Sequence, residues 1–311
     1  MRLEIFPVPA GTFFHRAGRR PNTFNMAIGE LMSAQPQAHS RQFDVAEILG
    51  GLYGAGIIAC KGGFERAWVQ RLREDVDTLF AEALQRPGGA LNRGPNRYYV
   101  EVHPERLRGF VDIASHPWIV AVSEAVLGPD YRIVEIGFDV PGPGAANQPW
   151  HRDFPTPEAT ARGRRLNSLA FNMTLVDVTE EMGPLEIAPG TQWDDLNGCS
   201  DASGMFPDQA LYPRYEARMQ RKMPSMGDIS ARSALTIHRG TANRSDVSRP
   251  VLVLGVDAPD AGNAARHDLQ ATRTYWEALP QQVRQHMTCR VVEQLEPIVQ
   301  LHTIEGLKMG V

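Results

Sequence analysis

Between residues 131 and 257 the chain is cut into short runs of β-branched and aromatic residues, and this texture restricts its fold more than any other feature. Expected strands cover residues 131–140, 148–153, 166–178, 185–188, 215–223, 235–238 and 250–257. Turn clusters such as Pro141-Gly142-Pro143-Gly144 and Pro189-Gly190-Thr191 separate them. Many short strands at this spacing call for a sandwich, a jelly roll or a barrel.

Ahead of this region, residues 1–40 are rich in Gly, Pro and Arg and read as an arm whose aromatics dock on something, a second copy of the chain being one option. Residues 43–84 read as helix, strand, helix, with Trp68, Leu72, Val76 and Leu79 at helical spacing in the long second helix. A further helix over residues 119–127 closes on the stop signal Gly128-Pro129. Past the β region, residues 272–287 have a helical pattern with Tyr275, Trp276 and Leu279 on one side. The expected organisation is one catalytic domain: arm 1–40, helical and strand flank 41–130, β core 131–258 and C-terminal helical extension 259–311. The fold class is therefore mainly β with flanking helices.

At 311 residues and 42% hydrophobic, the chain has ample length for a full core. A net charge of -4 with scattered Lys and Arg provides no footprint for nucleic acid or an anionic membrane. No apolar run is long enough for a membrane span, and the N-terminus lacks the layout of a signal peptide. Cys60, Cys199 and Cys289 lie far apart without C-x-x-C spacing, which suggests neither a zinc site nor a disulfide framework. These features together point to the cytoplasm.

Chemistry enters with His151-Arg152-Asp153. In an extended segment His151 and Asp153 share a face, ~7 Å apart at ~3.3 Å per residue, while Arg152 points away. His238, from a distant strand, would complete two imidazoles and one carboxylate. That set occupies one face of an octahedron and leaves three positions open, as a redox iron requires. Taken singly these residues carry little weight: nine histidines make His-x-Asp a chance event, and a lone His238 is ordinarily a core or turn residue. The tripeptide also spells a protein-kinase catalytic loop, but position 158 is Glu, no Asp-Phe-Gly follows and no Gly-rich loop precedes. Arg249 adds the weight, eleven residues after His238 and opening the apolar run Val251-Leu252-Val253-Leu254. A planar guanidinium holds a carboxylate bidentately, although an isolated Arg there would be a structural salt bridge.

This combination resembles the phytanoyl-CoA dioxygenase family of iron(II)- and 2-oxoglutarate-dependent oxygenases. The resemblance runs through His151-x-Asp153, the segment from Gly183 through Gln192, and Gly227-Asp228 followed by His238, Asn243, Ser245 and Arg249. Tyr53-Gly54-Ala55-Gly56-Ile57-Ile58 with the long helix, and His116-Pro117 ahead of Leu127-Gly128-Pro129, extend it over residues 45–257. It implies a double-stranded β-helix, a cupin-like jelly roll with flanking helices. It also implies iron(II) on His151, Asp153 and His238, activation of O2, and 2-oxoglutarate anchored by Arg249 with Ser245 or Thr241 as lesser partners. Asn147, Gln148 and Asn172 are further polar positions for the co-substrate. Thr191-Gln192 stands where the family usually shows Ser-His. Halogenating relatives replace the carboxylate by a small residue, so Asp153 favours oxygenation.

The resemblance further implies oxidation of an unactivated C–H bond of a small-molecule substrate. Rim segments 93–99, 154–165 and 193–212 should meet that substrate, with Arg97, Tyr98, Tyr99, Phe154 and Trp193 as candidates. Arg162, Arg164 and Arg165 form one small cluster for the phosphates of a carrier, too weak to decide between a carrier-bound substrate and the expected small metabolite or natural-product intermediate. Two rivals stay open: a cupin-type metal hydrolase or isomerase that does not use 2-oxoglutarate, and a jelly-roll binding protein without iron.

Overall fold

A helix starts at Val45 because the Asp44 carboxylate accepts from the Ala46 and Glu47 N–H groups, and it ends before Gly56, whose φ of +80° turns the chain into a strand. The computed structural model describes residues 3–4, 43–153, 162–194 and 204–300. The body of the expected N-terminal arm, Phe154 and Cys199 lie outside the described residues.

The strands are β1 (Leu3–Glu4), β2 (Ile57–Cys60), β3 (Leu91–Asn92), β4 (Arg97–Glu101), β5 (Arg132–Pro141), β6 (Ser168–Thr174), β7 (Leu185–Ile187), β8 (Gln220–Lys222), β9 (Ile229–Ser233), β10 (His238–Gly240), β11 (Val251–Asp257), β12 (Gln270–Thr272) and β13 (Arg290–Val292). The four helices of the first half are α1 (Val45–Gly54), α2 (Arg66–Leu84), α3 (Phe110–Ala114) and α4 (Pro117–Leu127). A main antiparallel sheet has the order β1-β2-β9-β6-β11-β5-β4-β3, and a second sheet has the order β10-β7-β8. Together they form the double-stranded β-helix. β12 and β13 make a separate parallel pair.

Alternation decides which face of the main sheet is dry. On β11, Leu252, Leu254 and Val256 are fully buried and join Ile136 and Phe138 of β5 in the core. The helices cover this face. The buried stripe of α2 is Val69, Leu72, Val76, Leu79 and Ala83, steps of three and four that put every one on the same side. Each large aliphatic side chain buried there contributes roughly 1.5–3 kcal/mol. Trp68 sits beside the stripe, stacked on Phe64 at 4.0 Å and donating its indole N–H to Asp112. The opposite residues of β11, namely Val251, Val253, Gly255 and Asp257, line a cavity of about 480 Å³ whose other walls include Leu185, Lys222, His238 and Gly240 of the second sheet.

Several expected elements take a different form. Residues 148–153 make no strand; His151 forms a single β-bridge with His238. The first part of the expected strand 215–223 lies in a helix, Tyr212–Glu216, begun by Pro213, and only Gln220–Lys222 is extended. The expected tail helix is two short helices, Arg273–Ala278 and Gln281–Arg284, because Pro280 supplies no N–H and forces Leu279 out of helical geometry to ψ 135°. Four strands of the main sheet, β1, β3, β4 and β9, have no counterpart among the expected ones. β2 and β4 come from residues expected to flank the core, yet both are hydrogen-bonded members of the main sheet.

Candidate active site

His151 and His238 face each other across the bridge, each N–H donating to the other's carbonyl at 3.0 Å. Their ring centroids are 4.3 Å apart. Both rings are oriented by the same local device: the Nδ1–H of His151 donates to Pro149 O at 2.8 Å and that of His238 to Thr236 O at 2.9 Å. A carbonyl only accepts, so each Nδ1 carries the proton and each Nε2 presents its lone pair. Asp153 is held by its N–H on Ala234 O at 2.9 Å, and ligand atoms of the three residues lie within 4.8 Å of one another. Asp153 Oδ1 is 3.4 Å from His238 Nε2, while Oδ2 accepts from Arg232 at 2.8 Å.

The charge states suit a divalent metal. Burial pushes the His151 imidazole far below its ordinary pKa, with His238 adding to the effect. Burial lowers His238 as well, helped by Arg232. For Asp153 burial alone would raise the pKa, but Arg232 and then His238 hold it well below the carboxylate range. Two neutral nitrogens and one anionic oxygen converge with no proton to displace, and this donor set fits iron(II).

Arg249 lines the same cavity and is buried. The eleven-residue step is a turn organised by Asn243, whose amide donates to Pro141 O at 2.9 Å and Val247 O at 2.8 Å. Burial and then the neighbouring Arg97 push the Arg249 guanidinium down to about 10, so it stays charged at neutral pH. Its Nε donates to Met182 O at 3.2 Å, and it has no ion-pair partner among the described residues. The nearby carboxylate of Asp139 is bonded to Arg97 at 3.1 Å.

The remaining expected residues divide by location. Gln148 and Asn172 line the cavity; Gln148 accepts from the Gly240 N–H at 2.6 Å, and Asn172 has a buried Oδ1 without a partner. Thr241 donates to Pro184 O, Ser245 to Asn243 Oδ1, and Asn147 accepts from the Ala242 N–H, so these three brace the loop ahead of Arg249. Arg97 and Tyr99 line the cavity, whereas Tyr98 points to the other face against Phe80. Trp193 packs on Tyr53 and donates to its carbonyl at 2.9 Å. Gln192 donates to the carbonyls of Leu52, Tyr53 and Gly54, closing the C-terminal end of α1. Site residues absent from the sequence reading are Arg232, Glu135, Asp257, Arg266 and His267, all of which line the cavity.

The profile of the phytanoyl-CoA dioxygenase (PhyH) family matches residues 52–251, a span that holds the triad and Arg249. This chain belongs to the phytanoyl-CoA dioxygenase family. With its triad assembled, this member of the phytanoyl-CoA dioxygenase family is a non-haem iron oxidoreductase that uses iron(II) and 2-oxoglutarate. Its fold is similar to that of the epimerase SnoN, in a complex with Fe3+, alpha ketoglutarate and nogalamycin RO, at a TM-score of 0.56 and 18% identity over 68% of this chain and 83% of that one. The alpha-ketoglutarate-dependent carbocyclase SnoK from nogalamycin biosynthesis follows at a TM-score of 0.54 and 18% identity, over 73% of this chain and 90% of that one. EctD from S. alaskensis, with 2-oxoglutarate and 5-hydroxyectoine, shares the fold at a TM-score of 0.56 and 16% identity, over 73% of this chain and 79% of that one. Among the described residues no helix is long and apolar enough to cross a membrane.

Proposed function

We propose that the chain oxidises an unactivated C–H bond of a small organic molecule, by hydroxylation or a related outcome such as desaturation or epimerisation. Iron(II), 2-oxoglutarate and O2 supply, when bound, the oxidant for such a bond, and 2-oxoglutarate leaves as succinate and carbon dioxide. His151, Asp153 and His238 would hold the metal through two Nε2 atoms and a carboxylate oxygen. Arg249 would bind the distal carboxylate of 2-oxoglutarate, with Gln148 and Asn172 as polar neighbours in the same cavity.

The observation that carries this reading is the uncompensated charge of Arg249. A buried cation without a counter-ion is unfavourable, and a guanidinium accepts a carboxylate along two parallel hydrogen bonds. Such a group beside the triad argues against a metal hydrolase or isomerase that has no anionic substrate to place there. Val251 and Val253 alternate with the core residues of β11 and give the cavity an apolar wall next to Arg249, which limits water there. A cavity of about 480 Å³ is in the size range for a small-molecule substrate.

Kinetics of succinate release test the assignment. Arg249→Ala should raise the 2-oxoglutarate concentration required by on the order of 10²-fold, as expected when one member of a buried charge pair is truncated. Iron content should stay unchanged. An unaltered 2-oxoglutarate requirement in this variant would remove the argument.

A further inference from the structure

β11 spans about 20 Å from Val251 to Asp257 at ~3.3 Å per residue, and the cavity follows it from one end to the other. Arg249 lies just before the first end. The second end is the metal end: Asp153 N–H bonds Ala234 O, Ala234 N–H bonds Ser168 O, and Ser168 is the register partner of Asp257. Two carboxylates stand there. β5 has one residue more than β11 at a bulge, where Gly255 pairs with Glu135 and Val256 with Ile133. The bulge brings Val134 and Glu135, consecutive in sequence, both to the cavity wall. Gly255 makes room for the Glu135 carboxylate, since a Cβ at that position would meet Glu135 Oε2 at 2.7 Å.

Neither carboxylate makes a salt bridge with a cation among the described residues, although the His267 imidazole lies near enough for its charge to act on both. Glu135 accepts from the Tyr99 hydroxyl, which is neutral. Asp257 is 3% exposed, and its Oδ2 has no hydrogen-bond partner at all. The neighbouring cations are engaged elsewhere: His267 bonds Glu101 at 3.2 Å, Arg232 bonds Asp153, and Arg266 reaches the Asp153 carbonyl at 3.5 Å. Burial lifts the Asp257 carboxyl to about 6 despite hydrogen bonds from Ser168 and Asn263 and the charge of His267, and Glu135 adds to the rise. A desolvated anion with an idle oxygen facing a cavity is complementary to a donor that arrives with a ligand.

We infer that Glu135 and Asp257 form the substrate-recognition end of the cavity and bind a cationic nitrogen, an ammonium or amidinium group, close to the metal triad. This substrate class rests on the reading of the cavity as an oxidation site with 2-oxoglutarate at the Arg249 end. The two ends then sort their occupants by charge, the co-substrate carboxylate at Arg249 and the substrate cation at Glu135 and Asp257.

Cyclohexylammonium and the neutral isostere cyclohexanol serve as probes. Each is titrated calorimetrically into the full chain loaded anaerobically with iron(II) and 2-oxoglutarate, in wild type, Glu135→Gln and Asp257→Asn, with the visible absorption of the keto-acid chelate recorded on the same samples. Cyclohexylammonium should bind wild type about tenfold tighter than cyclohexanol, in line with a charge-assisted hydrogen bond, and the preference should fall to near parity in either variant. Glu135→Gln keeps an acceptor for Tyr99 and provides the decisive variant if Asp257→Asn fails to fold. Equal binding of the two probes to wild type, or a preference surviving in a folded variant, would overturn the inference. Loss of the chelate absorption in wild type would overturn the co-substrate reading instead, while the probe preference still decides the carboxylate site.

Discussion

The outer oxygen of Asp153 is bonded to Arg232 at 2.8 Å, which leaves the other oxygen for a metal. Arg232 is 4% exposed and fixed on β9, so it orients the carboxylate as well as keeping it ionised. Arg232→Met should weaken iron(II) binding by about 10–100-fold, the usual cost of removing an outer partner of a ligand. A metal titration that finds wild-type affinity in the folded variant would show that Asp153 needs no such support. Asp257 makes a prediction about pH. Its pKa rises from 3.8 to about 6 on folding, so between those values the native state binds more protons than the unfolded state. Stability from this group is complete below the unfolded value and is lost as pH climbs through about 6, by on the order of 3 kcal/mol for two pKa units. Urea unfolding at pH 4 and pH 8 should show this loss in wild type and a flatter profile in Asp257→Asn. Equal slopes in the two proteins would contradict it.

Among the elements, α1 depends on a residue far from it in sequence. Gln192 donates to three of its last carbonyls at 3.0–3.3 Å, and Gly56 gives the amide room to approach. Gln192→Ala should lower stability by about 1–3 kcal/mol, the range for leaving buried carbonyls unsatisfied, visible as a lower urea midpoint at unchanged slope. An unshifted midpoint would mean that water replaces the amide. This role accounts for Gln192 at a position where the family usually has His, and local sequence offers no sign of it. The long helix α2 was readable because its burial depends on its own periodicity. The triad was readable because His151 and Asp153 are two residues apart and Arg249 follows His238 at a fixed step. β9 was not, because its inward residues Ser230 and Arg232 are polar on account of the cavity they line, which hides the strand pattern in Ile229-Ser230-Ala231-Arg232-Ser233. Glu135 was illegible for a similar reason: the bulge that turns it inward exists only once β5 pairs with β11. The expected strand over residues 148–153 failed because two of its bonds go to irregular backbone at Ala234 and Met205, and β10 meets it only through Gly240 and the single bridge at His238.

For the whole molecule, the two sheets have different duties. The main sheet is anchored by the helical layer on its dry face and presents arginines, carboxylates and amides on the other. The smaller sheet brings His238 over that polar face, and the bridge to His151 closes the site across 87 residues of chain. The central claim is that this closure builds one iron(II) centre chelated by 2-oxoglutarate. Its most direct measurement is the visible absorption of the protein loaded anaerobically with iron(II) and then with 2-oxoglutarate. Wild type should develop the weak charge-transfer band of a keto-acid chelate on addition of 2-oxoglutarate, and Asp153→Ala should not. A fully iron-loaded wild-type protein that binds 2-oxoglutarate without developing the band, or that fails to bind it, would contradict the account.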